Sequence, residues 1–366
     1  MIRSRTLSAT AATAAVACAW GNSLLAQDSI VRMGDPRVSV EMYGQVNRAI
    51  LFGDNGEESE TFFVDNDHSS SRLGFRIGYE GSVVDAGVNL EFSIQSNASG
   101  DVSFDEPSSD FEFGERKMEV FASGNFGKIS LGQGDTASNG TAEVDLSGTD
   151  IIGYVGVSDY AGGLTFNNSG VSVGDVFNQF DGLSRDDRIR YDTPEFGGFK
   201  LSTSVAEQQE WDVALRFARA FGTGEFEAAV AYAEPKEDEI DSQVSLSASA
   251  IFSGISVTAA YGTQSLEDGL AGDPEFYYVK LAYKEQLFNG GGLGKTGFGI
   301  DYYDGSDIAA ADGILEADSQ SWAIFAVQDF SNLGAQVYLG YRNYTFDSAS
   351  DDDDLYAVMG GARIRF

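Results

Sequence analysis

Apolar and polar residues alternate along the chain in short segments with a repeat of two residues. In residues 38–52 the even positions are apolar apart from Arg48, and the odd positions are mostly polar. This repeat predicts β-strands with one apolar and one polar face. The least regular segment is 320–328, where Phe325 falls opposite Trp322 and Ile324. The pattern occurs in 16 segments, at residues 38–52, 71–79, 85–95, 116–122, 128–133, 187–193, 199–205, 211–221, 225–233, 243–252, 255–262, 276–284, 296–303, 320–328, 335–344 and 356–366.

The connections between these segments alternate in length. Short ones carry glycine, as in "SGNFG" and "PEFGG", whereas the longer ones are acidic, at residues 54–67, 100–110, 234–241, 266–274 and 346–354. An even number of strands, short turns at one end and long loops at the other are typical of transmembrane barrels of the outer membrane. The sequence therefore predicts an all-β fold, a 16-stranded antiparallel transmembrane β-barrel with short periplasmic turns and long acidic external loops.

A barrel of this size is too wide for side chains to fill, so its polar faces line a water-filled lumen. Basic residues fall on those polar faces more often than chance placement allows, which predicts a basic pore wall. Arg48 and Arg219 fall on the apolar face instead, where each reaches a rim or a subunit contact. The predicted pore-lining residues are Arg72, Arg76, Lys117, Arg188, Arg190, Lys200, Arg216, Arg342, Arg363 and Arg365.

The two ends of the chain have distinct signals. Arg3 and Arg5 precede a short apolar run at residues 7–18, which predicts a secretory signal peptide at residues 1–26 and a barrel at residues 27–366. Cleavage within "ACA" and acylation of Cys18 are the alternatives. At the other end, Phe366 and its neighbouring alternate residues predict a last strand with water on one face and lipid on the other.

Acidic residues dominate the composition. The formal net charge is −34, which excludes nucleic acid as a partner. Acidic loops such as residues 351–354 are solvated surface or hold Ca²⁺ or Mg²⁺ against lipopolysaccharide; apart from these ions no metal and no cofactor is expected. His68 is the only histidine, and its acidic surroundings predict an exposed loop residue rather than a catalytic one.

The sequence resembles the general porins of Gram-negative bacteria, most closely those of alphaproteobacteria. The stretches that carry the resemblance are "VSVEMYGQVNRAI", "SSSRLGFRIGYEG", "ASGNFGKISLGQGDT", "RIRYDTPEFGGFKLSTS", "VYLGYRNY" and "GGARIRF". The resemblance implies a homotrimer in the outer membrane and a third external loop folded into the pore. In that loop Glu143, Asp145 and Asp150 are implied to face the basic wall. Phe366 resembles the signal read by the outer-membrane assembly machinery.

These patterns and the resemblance lead to one principal function and two alternatives. The principal function is a channel for passive diffusion of ions and small hydrophilic solutes, weakly cation-selective at low salt. The first alternative is a channel specific for sugar or phosphate; a sugar channel needs an aromatic track, for which Tyr43, Tyr278, Tyr303 and Tyr338 are the inward candidates. The second is a secreted soluble β-protein such as an adhesin. None of these functions is enzymatic.

Overall fold

The computed structural model of the protein describes residues 31–32, 35–236, 240–266, 272–288, 293–311, 313–314, 317–347 and 352–366. The predicted signal peptide lies outside these ranges. One helix, α1 (Val173–Val176), and 3-10 turns at Asp67–Ser69, Val157–Tyr160, Glu207–Gln209 and Ser331–Leu333 accompany the sheet. No helix in the described ranges is long and apolar enough to cross a membrane. The strands are β1 (Val31–Arg32), β2 (Val38–Asp54), β3 (Ser59–Asp65), β4 (Arg72–Tyr79), β5 (Asp85–Ser96), β6 (Phe111–Gly124), β7 (Gly127–Asp135), β8 (Arg185–Asp192), β9 (Phe199–Val205), β10 (Trp211–Phe221), β11 (Gly224–Glu234), β12 (Ile240–Phe252), β13 (Ile255–Leu266), β14 (Glu275–Glu285), β15 (Thr296–Ser306), β16 (Asp318–Phe330), β17 (Ala335–Asp347) and β18 (Leu355–Arg365).

The sheet closes on itself, because β18 pairs with β2 as well as with β17. β3 and β4 both pair with β2 and form the two halves of one barrel strand, while β1 is a short addition beside β2. The predicted 16-stranded antiparallel barrel is confirmed, with β1 as one extra strand. Outward side chains along it are apolar and half exposed, among them Ile50, Leu131, Leu281 and Leu339.

The longest connections lie at one end of the barrel, although the connection at residues 286–295 lies at the other end with the short turns. The two ends of the barrel are called here the short-turn end and the long-loop end. The three longest connections, residues 97–110, 136–184 and 307–317, are all at the long-loop end. The predicted acidic loop at 54–67 is wrong for most of its length, since β3 occupies Ser59–Asp65. Its alternation was hidden because Phe62 and Val64 face inward while Phe63 faces outward, so both faces are apolar.

The barrel strand made of β3 and β4 is interrupted at half height. Arg48 of β2 pairs with Asp65, and Gln45 pairs with Arg72, so residues 66–71 are inserted opposite two residues of β2. The Gln45 side chain donates to the backbone oxygens of Ser69 and Ser70, both at 2.8 Å. The insertion therefore keeps backbone partners, as a segment at membrane depth must.

The last residue closes the barrel. The backbone N–H of Phe366 donates to Gly44 O at 3.0 Å, and Gly44 N–H donates to Phe366 O at 2.9 Å. A Cβ at position 44 would lie 2.9 Å from the Phe366 ring and 2.7 Å from the backbone oxygen of Arg72. Glycine is required there because three backbone segments meet without space for a methyl group.

We expect Gly44→Ala to weaken this closure, because the Arg72 carbonyl cannot shift without disturbing the β2–β4 ladder. The measurement is the fraction of protein that keeps folded mobility on a detergent gel without boiling. Gly360→Ala is the matched control, since a Cβ there meets the flexible end of Leu339 at 3.3 Å and the Tyr338 backbone oxygen at an ordinary contact distance of 3.9 Å. Equal folded fractions for the two variants would contradict this account of the junction.

Candidate functional site

The connection between β7 and β8, residues 136–184, folds into the barrel and is called here the inner loop. Its first part is held by serines that alternate along the inner face of β12. Ser247 Oγ accepts from Val144 N–H at 3.0 Å and donates to Thr141 O at 2.7 Å, and Ser249 Oγ accepts from Leu146 N–H at 3.0 Å. The serine side chains thus replace the strand partner that the loop backbone lacks.

The second part of the inner loop is docked by aromatic residues. Tyr160 donates from its hydroxyl to Gly340 O at 2.6 Å and accepts from Met359 N–H at 2.8 Å. The Phe177 ring lies 5.4 Å from the Tyr303 ring and 5.3 Å from the Tyr344 ring. Strands β12–β18 are called here the docked wall. Residues of β13–β18, together with Leu51 of β2 and Phe62 of β3, form an apolar core with the loop inside the barrel.

Phe325 illustrates how closely the loop approaches this wall. A Cβ on Gly153 of the loop or on Gly299 of β15 would lie 2.2 Å from the Phe325 ring. The ring is nearly buried and fills the space that both glycines leave open. The irregular alternation of residues 320–328 has this cause: Phe325 faces the loop, while Trp322 and Ile324 face outward.

Two of the predicted pore residues lie where the inner loop meets the docked wall, which corrects their assignment. Arg342 is fully buried and pairs with the carboxylate of Asp301 at 2.8 Å. Asp145 points away from the basic wall and pairs with Lys280 at 2.6 Å, with Lys280 fully buried. Burial of a charge requires a close partner, so both pairs act as ties between the loop and the wall.

The opposite side of the lumen, strands β4–β9, is called here the open wall. It lines a cavity of about 530 Å³ that extends to the short-turn end. Arg76 stands over the ring of Tyr43 at 4.0 Å and contacts Glu41 at 3.3 Å, and Lys117 pairs with Asp135. Its charged lining residues are Arg76, Glu91, Lys117, Glu119, Lys128, Asp135, Arg188, Arg190, Asp192 and Lys200.

Several arginines of the open wall are fixed by neighbours. Arg188 pairs with Glu119 and donates to Asp135 O at 3.0 Å. Arg190 pairs with Asp192 at 2.7 Å and also donates to the first residue of the inner loop, Thr136 O, at 2.6 Å. These arginines hold the loop entrance as well as lining water.

The remaining predicted arginines lie around the edges of the open wall. Arg216 of β10 donates to Asn139 O of the loop at 2.7 Å. Arg72 and Arg363 both donate to Ser69 of the strand interruption, at 3.0 and 2.6 Å. Arg365 lies at the short-turn end, where its backbone N–H donates to Gly334 O.

Arg116 is an inward residue that alternation assigns to the wrong face. The register of β5 and β6 shifts between Glu91 and Phe92, so that Glu91 pairs with Lys117 and Phe92 pairs with Glu115. This β-bulge leaves Arg116 without a partner across the ladder and re-aims it, as bulges do. Arg116 reaches Glu91 at 2.8 Å, and consecutive residues 116 and 117 both reach the lumen. The sequence carries no visible signal for the bulge.

His68 lies inside the barrel, not in an exposed loop as predicted. Its ring contacts the Tyr154 ring at 4.8 Å and the Tyr160 ring at 5.8 Å, both edge to face. Nε2 is 3.2 Å from Gly156 O, to which it donates. The interruption thus packs against the inner loop.

Further carboxylates of the inner loop come from both of its ends. Asp181 accepts from Gly140 N–H at 2.6 Å and Ala142 N–H at 3.1 Å. Burial, and then the charge of Glu143, raise the pKa of Asp181; burial raises that of Glu143, against the opposing charge of Arg185. Asp150 is exposed and acts electrostatically on Arg363. Asp181, distant in sequence from Glu143, was not predicted.

The acidic connection before β18 touches the tip of the inner loop. Asp352 accepts from the backbone N–H groups of Asn168 and Ser169 at 2.9 and 2.8 Å, and Asp353 accepts from the Asn167 side chain at 2.8 Å. Among the residues with described positions, no group of three or more metal-ligating side chains is close enough to hold an ion. These carboxylates hold the loop tip.

A closed barrel with an apolar exterior and a polar open wall defines the class of membrane pore proteins. Solved structures with a similar fold include an anion-selective porin from Comamonas acidovorans, which is 19% identical at a TM-score of 0.60 and covers 90% of this chain and 100% of that chain. OmpT of Vibrio cholerae, folded in vitro, is 16% identical with a TM-score of 0.58, and the match covers 90% of this chain and 99% of that chain. OmpF of Salmonella typhi in complex with daunomycin is 14% identical with a TM-score of 0.59, and the match covers 90% of this chain and 98% of that chain.

The family is shown by comparison of the sequence with protein-family models. The family model described as Gram-negative porin matches residues 6–349, and the chain belongs to this family. No curated protein sequence matches the chain. The protein is therefore a channel of the outer membrane for passive diffusion, and the alternative of a secreted soluble β-protein is wrong.

Replacing Ser247 and Ser249 with Ala should release the first part of the inner loop. Each substitution leaves a buried loop N–H without its acceptor, which costs about 1–3 kcal/mol. The measurement is hydrogen exchange in the peptide covering residues 141–149, expected to be faster in the double variant. Ser265→Ala, at an exposed position on β13, is the control. Unchanged exchange in the double variant would show that the serines do not hold the loop.

Proposed function

We propose that ions and small hydrophilic solutes cross this protein along the open wall only. The observation that carries the proposal is the packing of the inner loop, which fills the docked-wall side with apolar and hydrogen-bonded contacts. The remaining space is bounded by the basic residues of β4–β9 on one side and by Glu143, Asp150 and Asp181 on the other. These two sets of charges form the constriction.

The structure gives little support to a sugar-specific channel with an aromatic track. Tyr278, Tyr303 and Tyr338 are almost fully buried beneath the inner loop. Tyr43 of β2 lies beside the open wall, where its hydroxyl donates to Glu91 at 2.8 Å. A single tyrosine does not make a track. His68, held between tyrosine rings and a backbone carbonyl, has a structural role.

We propose that the protein assembles as a homotrimer and that the outer face around Arg48 is the subunit contact. Arg48 lies at half height on the outer face, where its guanidinium donates to Ser96 O at 2.8 Å and lies 3.8 Å from Asp65. A charge facing lipid at this depth is costly, which supports a protein neighbour. Arg219, by contrast, is close to the short-turn end of β10 and can reach the rim. One similar structure, OmpT of Vibrio cholerae, is described as a trimer form.

We expect Arg48→Leu to lower the temperature at which trimers dissociate on unboiled detergent gels more than it lowers the temperature of monomer unfolding. The reason is that a leucine cannot replace the hydrogen bonds at a subunit contact. Arg219→Leu is the control and should leave the trimer unchanged. If Arg48→Leu raises trimer stability, the face is in contact with lipid. If boiled and unboiled samples migrate alike, no stable trimer exists.

Phe366 is proposed to act in assembly as well as in closure. Its ring is half exposed on the outer face at the short-turn end, where a partner reading the last strand can reach it. Lipid surrounds the apolar outer faces, and the acidic loops at the opposite end are the surface available to lipopolysaccharide.

Ion selectivity follows from where the charges lie. The chain carries a net charge of −34, yet the cavity along the open wall is lined by six basic and four acidic residues. Charges act on an ion only within about one Debye length, ~30 Å at 0.01 M salt and ~3 Å at 1 M. The acidic loops at the long-loop end therefore attract cations at low salt, whereas the basic residues of the open wall have the larger effect on ions at high salt.

We expect the cation-to-anion permeability ratio to fall as salt rises. Replacing Arg72 and Arg76 with Ala should raise the ratio at both salt concentrations, because the wall loses two positive charges. The measurement is the reversal potential across a salt gradient in planar bilayers, with Arg219→Ala as a control on the outer face. A cation-to-anion permeability ratio that changes neither with salt nor with the double substitution would rule out the open wall as the conduction path.

A further inference from the structure

Three arginines from different strands converge on the strand interruption at residues 66–71. Arg363 of β18 donates to Ser69 Oγ at 2.6 Å, and Arg72 of β4 donates to the same oxygen at 3.0 Å. Arg116, placed by the bulge in β6, is 3.4 Å from Ser70 Oγ. The interruption therefore gathers three guanidinium groups around two adjacent serine hydroxyls.

The cluster is only partly neutralised. Among the described residues, the ion pairs of these arginines go to Glu91 alone, at 2.8 Å from Arg116 and 3.9 Å from Arg72. Glu91 also accepts from the Tyr43 hydroxyl. The guanidinium of Arg363 meets a neutral partner in Gln336 Oε1 at 3.0 Å. Arg72 and Arg116 thus share one close carboxylate, and Arg363 is influenced by Asp150 only through space.

Two of the three arginines are partly exposed, whereas Arg363 is buried. The Arg72 side chain is 23% exposed and that of Arg116 is 16% exposed. Guanidinium groups present N–H donors in a planar fork that matches the oxygens of a carboxylate or a phosphate. Donors from more than one arginine beside neutral hydroxyls are suited to a small anion with several oxygens, more than to chloride.

We propose that Arg72, Arg116 and Arg363, seated on Ser69 and Ser70, form a weak binding site for small oxyanions, carboxylates or phosphates, within the conduction path. The site rests on the proposed route along the open wall and gives that route a preferred class of solute. An oxyanion that pauses there blocks the passage of chloride for the duration of its stay.

The test measures KCl current through the purified full-length protein in planar bilayers at fixed KCl and pH 7.5. Inorganic phosphate or succinate is added in increasing amounts, with gluconate as a bulky monoanion for comparison. We expect phosphate, succinate or both to reduce the current along a saturating curve. The variant Arg72→Gln/Arg116→Gln should require about tenfold more of the anion for the same reduction, because charge-assisted hydrogen bonds are lost. Arg37→Gln, which removes the same charge at the exposed short-turn end, should behave as the parent.

Failure of the site and failure of the channel give different results. A KCl current that neither phosphate nor succinate reduces in a saturating way overturns the site and leaves the channel standing. An equal effect in Arg72→Gln/Arg116→Gln and in the parent also overturns it, provided that the variant keeps its folded gel mobility. Absence of any KCl current from correctly folded protein overturns the route along the open wall and the site together.

Discussion

A sheet in lipid must pair all its backbone groups, and it can do so only by closing into a barrel, whose width is set by the number of strands. Sixteen strands close around a space that inward side chains cannot fill. The inner loop, residues 136–184, fills this space on the side of the docked wall. It brings Phe166, Phe177 and Phe180 to the docked wall and leaves the open wall in water. The channel is therefore the part of the lumen that the loop does not occupy, and its shape depends on the docking contacts.

Docking explains both the success and the failure of alternation as a guide to this fold. Where the inner face meets water, as in β4, β5 and β8, the repeat of two identified strands directly. Where the inner face meets the loop, both faces become apolar, so Phe62 in β3 and Phe325 in β16 obscured the pattern. The inner position of the loop followed from family resemblance; which wall it covers depends on contacts distant in sequence, such as Ser247 with Val144, that no local pattern encodes.

The site residues could be predicted only where inward and outward side chains alternate without interruption along a strand, a property called here parity. Parity placed Arg72, Arg76 and Lys117 inside the barrel. One bulge in β6 reverses parity beyond it, and this is how Arg116 was missed. Parity also placed Arg342 inside, but facing inward is not the same as facing water, because the loop covers that position. Loop carboxylates have no parity at all, so Asp145 was placed on the wrong side and Asp181 was overlooked.

The barrel holds its inward arginines in two physically different ways. Under the loop, Arg342 and Asp301 form a buried pair, which cancels both charges and leaves little field in the lumen. Beside the open wall, Arg363 is held by Gln336 and Ser69, which fix its direction without cancelling its charge. Neutral acceptors are what a wall needs if its positive charge is to act on passing solutes. The strand interruption supplies such acceptors at half height as the hydroxyls of Ser69 and Ser70, while its backbone oxygens accept from Gln45 and Asn47. A break in the ladder, costly in a membrane unless its backbone groups find partners, thus provides the oxygen atoms that orient a charged cluster toward water.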